Sequence, residues 1–322
     1  MRAIRRILVA VKDPGARSLP AVNKAVQLAG ALDADLELFH AIDSPFYTDM
    51  LGIASQHTRR MECDERSEYL QRLERIAARA RLHTARVSVA VECDYPAYEA
   101  IVRRGLRIGA DLIVAECHAG RRLAQGLLHL SDWELLRLST VPVLLVKRAR
   151  PYHRPTIVMA LDPSHAFAKP ARLDDEILEA GSVVAAGLRG SLHAVHAYPT
   201  ATAGLGGPGA ALGSRLQAAA VSAQAGLERA LRSASVAPSC RHLVPGDPTG
   251  AVRDTARRLG ADIVVAGAVS RSGLKRAFIG NTAERLLDCL SCDLLIVKPA
   301  GFPSAVPRSS RGARLIAVEP LG

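Results

Sequence analysis

The 322-residue chain has few aromatic side chains, few lysines and no long apolar run. Aromatic residues make up 4 % of the sequence, and lysines account for only six of its 42 basic residues. No apolar segment approaches the ~18 residues of a membrane span, so we expect no membrane insertion. The N-terminal apolar stretch Ile7–Val11 is shorter than the core of a secretory signal, and it predicts a first β-strand.

Cysteine is also sparse, and the usual catalytic patterns are missing. Six cysteines without dense spacing favour a reducing cytoplasm over a disulfide scaffold, and Cys63, Cys93, Cys117 and Cys240 have no metal-ligand spacing to one another. No Ser-His-Asp order, carboxylate pair or Walker segment is found. The sequence therefore predicts a cytoplasmic protein that is not an enzyme, with no catalytic residue and no resident metal.

The formal net charge of +11 is carried by scattered arginines. Arg103, Arg104 and Arg107 fall among apolar residues as on the outer face of an amphipathic helix, and the arginines between residues 72 and 81 do the same. A nucleic-acid binder more often shows a basic block with interleaved aromatics. Nucleic acid is therefore a third-ranked partner, suggested by charge alone.

Four segments of the first half recur in order in the second. Ile7–Pro14, Leu36–Ala41, Gly109–Ala115 and Val141–Lys147 are matched by Ile157–Pro163, Leu192–Ala197, Gly260–Ala266 and Cys292–Lys298. Ordered matches at a near-constant offset indicate a tandem duplication. We expect one domain over residues 1–149, a second over 155–299, and a disordered tail over 300–322.

Each half alternates continuous apolar runs with helical patterns. Helices are predicted over Pro20–Leu32 and Leu173–Leu188, whereas the apolar runs are typical of strands buried on both faces of a parallel sheet. The fold class is α/β: two tandem Rossmann-like domains, each with a doubly wound, mostly parallel five-stranded sheet. In such folds ligands bind beyond the carboxyl ends of the strands.

One segment of the second half has the composition of a phosphate cradle. Gly267 to Gly273 follows the fourth strand, and Gly280-Asn281-Thr282 leads into a helix. Glycines let the backbone approach a ligand, and the free N–H groups of a helix N-terminus attract an anion. Loop glycines followed by a helix cap, without any ligand, explain the same pattern.

The duplicated halves and this glycine segment resemble the universal stress protein family. Its nucleotide pattern is G-x-x-G, nine residues, then G-[ST], and the resemblance to its tandem-domain type covers residues 4–299. It implies an adenine nucleotide alpha hydrolase-like fold, with the halves related by a pseudo-two-fold axis. It also implies that the terminal strands Val141–Lys147 and Cys292–Lys298 pair across that axis, as an intramolecular pseudo-dimer open to further dimerisation.

The resemblance assigns a binding site to the second half. It implies a small-molecule site for ATP or another adenine nucleotide, with accompanying Mg²⁺, formed by Asp162, Gly267, Ser270, Gly280, Asn281 and Thr282. Asp162 would contact the adenine-ribose end. Ser270 departs from the pattern where the family has a second glycine, and Asn281 replaces the usual Ser or Thr.

The first half lacks the glycines of this pattern. Glu116, Ala119 and His129 stand opposite Gly267, Ser270 and Gly280. An ionised Glu116 would repel a phosphate, and we expect this half not to bind ATP.

The resulting hypothesis is a stress-response protein that binds a small ligand in its second domain. The segment Thr200–Ser214 is expected to be a mobile loop that closes over this ligand. The alternative is a scaffold or binding module for a non-nucleotide ligand, including a hydrophobic one, or for a protein partner.

Overall fold

The structure is a computed structural model, and its chain divides into two compact units. It describes residues 3–42, 56–84, 86–117, 129–163, 173–198, 209–268, 281–299, 301–309 and 315–317. One unit contains the chain up to Tyr152 together with the tail from Pro303 onward, and the other contains His153–Phe302. We call them the first and second units.

The first unit is a sheet with helices in the connections between its strands. Its elements are β1 (Arg6–Ala10), α1 (Pro20–Leu32), β2 (Asp35–Ile42), α2 (Gln56–Ala80), β3 (Val87–Cys93), α3 (Ala97–Ile108), β4 (Leu112–Glu116), α4 (His129–Leu138), β5 (Val143–Val146) and, from the tail, β11 (Leu315–Ala317). The strand order is β11-β3-β2-β1-β4-β5. Strands β1 to β5 pair in parallel, whereas β11 pairs antiparallel with β3.

The second unit repeats this arrangement. Its elements are β6 (Thr156–Leu161), α5 (Leu173–Leu188), β7 (Ser191–Tyr198), α6 (Gly209–Ala230), β8 (Arg241–Pro245), α7 (Pro248–Leu259), β9 (Ile263–Gly267), α8 (Asn281–Cys289) and β10 (Asp293–Val297). The five strands are all parallel in the order β10-β9-β6-β7-β8. The prediction of two doubly wound, Rossmann-like sheets is confirmed.

Burial explains why the strands are continuous apolar runs. Ile7, Leu8 and Val9 are consecutive in β1, and each has 0 % of its surface exposed. Successive side chains of a strand point to opposite faces, so both faces of this sheet are covered.

The repeated Gly-Ala-Asp segment has a structural cause in both units. Gly109 and Gly260 end α3 and α7 in the left-handed conformation, with φ of 65° and 62°, and glycine adopts this conformation without steric cost. The aspartates two residues later, Asp111 and Asp262, accept the backbone amide of the first residue of β1 and of β6. An Asp111 carboxylate oxygen accepts the amide of Arg6 at 3.1 Å, and Asp262 accepts that of Thr156 at 2.9 Å.

The expectation that Arg103 and Arg104 lie on an outer helix face is wrong. Their exposed fractions are 3 % and 6 %. Arg104 makes a two-point ion pair with Glu37 of β2, with N–O distances of 2.6 and 2.8 Å. Arg103 is paired with the buried carboxylate of Asp94. Acidic residues on the neighbouring strands and loops compensate the buried guanidinium groups, and helical periodicity alone does not reveal such partners.

The described part of the tail packs on the first unit. Leu315 lies opposite Glu92 in the antiparallel pairing of β11 with β3. The Nη1 of Arg103 donates to the carbonyl oxygens of Pro307 at 3.0 Å and Ser309 at 3.3 Å. The expected disorder of residues 300–322 therefore does not apply to residues 301–309 and 315–317.

Helix α6 occupies part of the segment predicted to be a loop. Residues 209–214 form the first turns of α6, whereas residues 200–208 lie outside the described residues. The sequence Gly-Ala-Ala-Leu-Gly-Ser contains good helix formers, so its glycine content was a poor guide to its structure.

Candidate functional site

The second unit has its topological switch point between β6 and β9. These strands are neighbours. The chain continues from β6 to β7 toward one edge of the sheet, and from β9 to β10 toward the opposite edge. Met159 of β6 lies opposite Val265 of β9. This register brings Asp162, which follows β6, and Gly267, which ends β9, to the same carboxyl edge. A crevice at this position is the usual ligand site of such folds.

Asp162 is held at this edge by a second aspartate. Only 7 % of Asp162 is exposed, and its backbone amide donates to both carboxylate oxygens of Asp174, at 3.1 and 3.2 Å. Asp174 is 6 % exposed and lies in the first turn of α5, where a carboxylate is favoured by the helix dipole. Asp174 was not among the residues predicted for the site. The acidic run at the start of α5 was the signal that could have indicated it.

Gly267 is required by packing. A Cβ atom on Gly267 would lie 2.4 Å from Cδ2 and 2.6 Å from Cγ of Leu173, which begins α5 and is 0 % exposed. The absence of a side chain therefore allows α5 to approach β9. This packing role is independent of any close approach of a ligand to the backbone.

The remaining residues of the glycine pattern are only partly within the described structure. Ser270 and Gly280 lie outside the described residues, whereas Asn281 and Thr282 begin α8. Since α8 connects β9 to the parallel strand β10, its N-terminus lies toward the carboxyl edge of the sheet. Exposed N–H groups at a helix N-terminus can receive an anion there. Arg285 of α8 contacts Asp247, the N-cap of α7, at 3.2 Å.

Lys298 adds a basic group after β10, next to β9 in the sheet. Its side chain is buried, with Nζ 4.5 Å from the centre of the Phe302 ring. Burial lowers the pKa of Lys298 to about 8. In the sequence this lysine only ends a repeated strand segment, which does not by itself indicate a site.

Two equivalent histidines support the strand ends in the two units. Nδ1 of His40 lies 2.8 Å from the carbonyl oxygen of Val11, and Nδ1 of His196 lies 3.2 Å from that of Leu161. Because a carbonyl only accepts, Nδ1 carries the proton in both rings. Burial lowers the pKa of His40. Both side chains therefore position the segments that follow β1 and β6.

A second histidine pair joins β7 to β8. Nδ1 of His193 and Nε2 of His242 are 3.1 Å apart, and Nδ1 of His242 is 3.4 Å from an Nη of Arg258. Burial lowers the pKa of both histidines, and the charge of Arg258 lowers them further. The arrangement requires neutral rings, since Arg258 can only donate.

The corresponding edge of the first unit is partly filled by a carboxylate. Glu116 ends β4, and its Oε1 lies 3.4 Å from the backbone amide nitrogen of Ala21 in the first turn of α1. A cavity of about 250 Å³ remains beside it, with Lys12 and Asp13 in its wall. Oδ1 of Asp13 accepts the amide of Gly15 at 2.8 Å. Ala119 lies outside the described residues, and His129 begins α4.

Within the described ranges, no group of three or more His, Cys, Asp or Glu side chains is placed to hold a metal ion. None of the helices in the described part of the chain has the length and apolar character needed to cross a membrane.

Comparisons with known proteins agree in sequence and in fold. The model of the universal stress protein family matches residues 3–147 and 156–298. The chain is 28 % identical over 318 residues to universal stress protein E of Escherichia coli, covering 94 % of this chain and 97 % of that protein. It is 30 % identical over 193 residues to the Haemophilus influenzae homologue of universal stress protein E, covering 59 % and 62 % of the two chains.

Two solved structures match the fold over more than nine-tenths of the chain. A functionally unknown protein from Pseudomonas aeruginosa superposes with a TM-score of 0.71 at 24 % identity, over 93 % of this chain and 94 % of that one. A universal stress protein from Archaeoglobus fulgidus gives a TM-score of 0.60 at 16 % identity, over 92 % and 97 % of the two chains. At these identities the likeness supports the fold alone.

Proposed function

The chain belongs to the universal stress protein family, with one family domain in each half, and we propose that its second domain is a small-ligand sensor in the stress response. The proposed ligand is an adenine nucleotide such as ATP, and the site is the carboxyl edge at the β6–β9 switch point. We further propose that the protein is cytoplasmic, because six cysteines without dense spacing favour a reducing compartment.

The difference between the two switch points is the observation that supports the second domain as the site. In the first unit Glu116 places a carboxylate at the N-terminus of α1. Its counterpart in the second unit is Gly267, which has no side chain. Glu116 repels an anionic ligand at the end of β4, whereas Gly267 adds no negative charge at the end of β9. The carboxylates at the second edge belong to Asp162 and to the first turn of α5.

The residues present fit a nucleotide in two respects. The Asp162 carboxylate can accept hydrogen bonds from ribose hydroxyls or from the adenine amino group. The N-terminus of α8, with half-buried Thr282, can receive phosphate oxygens. The negative charge in the first turn of α5 repels phosphate groups, so the phosphates should lie nearer to the N-terminus of α8. In this proposal the protein binds its ligand and does not catalyse a reaction of it.

Thermal unfolding with ATP, ADP and AMP tests the proposal. A ligand at 100 times its Kd stabilises the folded state by about 2.7 kcal/mol, which corresponds to an increase in Tm of roughly 5–10 °C for a unit of this size. Asp162→Asn should weaken nucleotide binding at least about tenfold by removing charge-assisted hydrogen bonds. The matched control is Asp13→Asn at the equivalent position of the first unit, which should leave binding unchanged.

Two results would contradict the nucleotide proposal. One is an unchanged Tm at millimolar ATP, ADP and AMP. The other is equal loss of binding in Asp13→Asn and Asp162→Asn. Native mass spectrometry of the purified chain then identifies any other retained ligand, which would support the alternative of a binding module for a non-nucleotide molecule.

A further inference from the structure

A trough of about 1100 Å³ runs between helices α1 and α2 of the first unit, and we call it the α1–α2 groove. Its α1 wall extends from Leu19 to Ala31, and its α2 wall extends from Arg72 to His83 in the turn after the helix. At 1.5 Å per residue each wall is roughly 17 Å long, or about three helical turns. The lining positions recur every three or four residues, so each helix turns one continuous face to the groove.

The two sides of the groove come close together at each of its ends. A Cβ on Gly15, just before α1, would lie 3.1 Å from an Nη of Arg72. A Cβ on Gly30, near the end of α1, would lie 3.0 Å from the carbonyl oxygen of His83. The two walls therefore run side by side in the same direction and separate between these points.

The floor of the groove is apolar. Val22 and Val26 of α1 are 4 % and 9 % exposed and line the trough from one side. Ile76 and Ala80 of α2 line it from the other side, with Ile76 half-buried. An apolar floor of this length can receive the hydrophobic stripe of another helix.

The rim of the groove is positively charged along its length. Arg17 lies near one end, while Arg72, Arg75 and Arg79 project from successive turns of α2. Arg72 also pairs with Glu68 one turn earlier, outside the groove. None of the described residues that line the groove is acidic or aromatic, apart from the imidazole of His83.

From this combination we propose that the α1–α2 groove binds an acidic amphipathic helix of a protein partner. The partner places an apolar stripe on the floor and its Asp or Glu side chains beside α2. A repeat of one cation per turn matches a helix that carries one carboxylate per turn. A fatty acid would present one anion at one end only. Single-stranded nucleic acid would use aromatic stacking platforms, which this lining lacks.

Fluorescence anisotropy with the full chain and a stapled, labelled 15-residue peptide tests this proposal. The peptide carries leucines on one face and glutamates on the flank, one per turn. Arg75→Glu/Arg79→Glu should weaken its binding at least about tenfold. Asn23→Trp, which fills the groove from an exposed position of α1 without changing charge, should also weaken it. Circular dichroism verifies that each variant is folded.

The matched control changes two exposed arginines of the second unit. Arg229→Glu/Arg232→Glu makes the same charge change outside the groove and should bind like the parent chain. Equal weakening by both double variants would show a net-charge effect and overturn the proposal. Absence of peptide binding at low salt, or equal binding of a peptide with lysine in place of glutamate, would also overturn it. Binding of oligo(dT) or of anionic phosphatidylserine vesicles to the groove in place of the peptide would overturn the proposal as well. These outcomes are independent of nucleotide binding in the second domain.

Discussion

Substitution of Gly267 by alanine separates a packing role from a ligand role at the second-unit site. The added Cβ would meet Leu173 at 2.4 Å, well inside the roughly 3.5–4.0 Å of a favourable carbon contact. Leu173 is completely buried, so it must move by about 1 Å against its neighbours. Overpacking of this kind costs about 1–3 kcal/mol, and the lower entropy of the unfolded alanine chain offsets about 0.4–1 kcal/mol.

Gly267→Ala should therefore destabilise the second unit by about 1–2 kcal/mol. For about 150 residues this lowers Tm by roughly 2–8 °C, measured as the second-unit transition in differential scanning calorimetry. Leu173→Ala alone should cost about 2–5 kcal/mol by opening a cavity. In the double variant the new Cβ occupies part of that cavity, so its loss should be at least about 1 kcal/mol smaller than the sum of the two single losses.

A second glycine in the same unit provides the control. The Cβ of Gly250→Ala would meet nothing closer than 3.8 Å, and the residue lies in α7. Alanine is favoured over glycine in a helix by about 1 kcal/mol, so this variant should be neutral or more stable. An unchanged Tm for Gly267→Ala, or strictly additive losses with Leu173→Ala, would refute the packing argument.

Three further predictions concern buried charge, pH and the tail. Arg104→Met should destabilise the first unit by about 3–5 kcal/mol, because it leaves Glu37 buried without its partner, and Glu37→Met/Arg104→Met should recover most of this loss in urea denaturation. Burial lowers the pKa of His193 and His242 in the folded chain. As the pH falls below about 6.5, these histidines bind protons more readily in the unfolded chain than in the folded chain, so the free energy of unfolding decreases. His193→Asn/His242→Asn should flatten this loss in Tm scans between about pH 7.5 and about pH 5. Truncation after Phe302 removes β11, and should increase both amide exchange in β3 and self-association in light scattering, whereas unchanged exchange would contradict the pairing.

The repeated elements were predictable because local rules determine them. Helices α1 and α5 begin and end at the residues that helical periodicity indicates, Pro20–Leu32 and Leu173–Leu188. The glycine caps at Gly109 and Gly260 lie inside one of the repeated segments. Periodicity, capping and repetition act within a few residues, so one sequence is sufficient to recognise them.

Long-range partners were not predictable in this way. Arg103 looks like a surface residue of an amphipathic helix, yet its partners include Asp94 and the carbonyl oxygen of Pro307, which is 204 residues away. Leu173 gives no sign in the sequence that it packs against Gly267. Topology predicts a site at the carboxyl edge of the sheet, whereas the contact between Asp174 and the backbone amide of Asp162 required the structure.

The order of synthesis gives the tail a consequence for folding of the first unit. Ribosomes make β1 to β5 early, but the segment that covers β3 and receives Arg103 comes last. Roughly 165 residues separate Tyr152 from Ala317, which at about 5–20 residues per second takes on the order of 10–30 s. During that interval β3 of the nascent first unit is not yet paired with β11, and the Arg103 guanidinium group has not yet met the carbonyl oxygens of Pro307 and Ser309. Holding chaperones or a slow final docking step should therefore matter more for this unit than for the second.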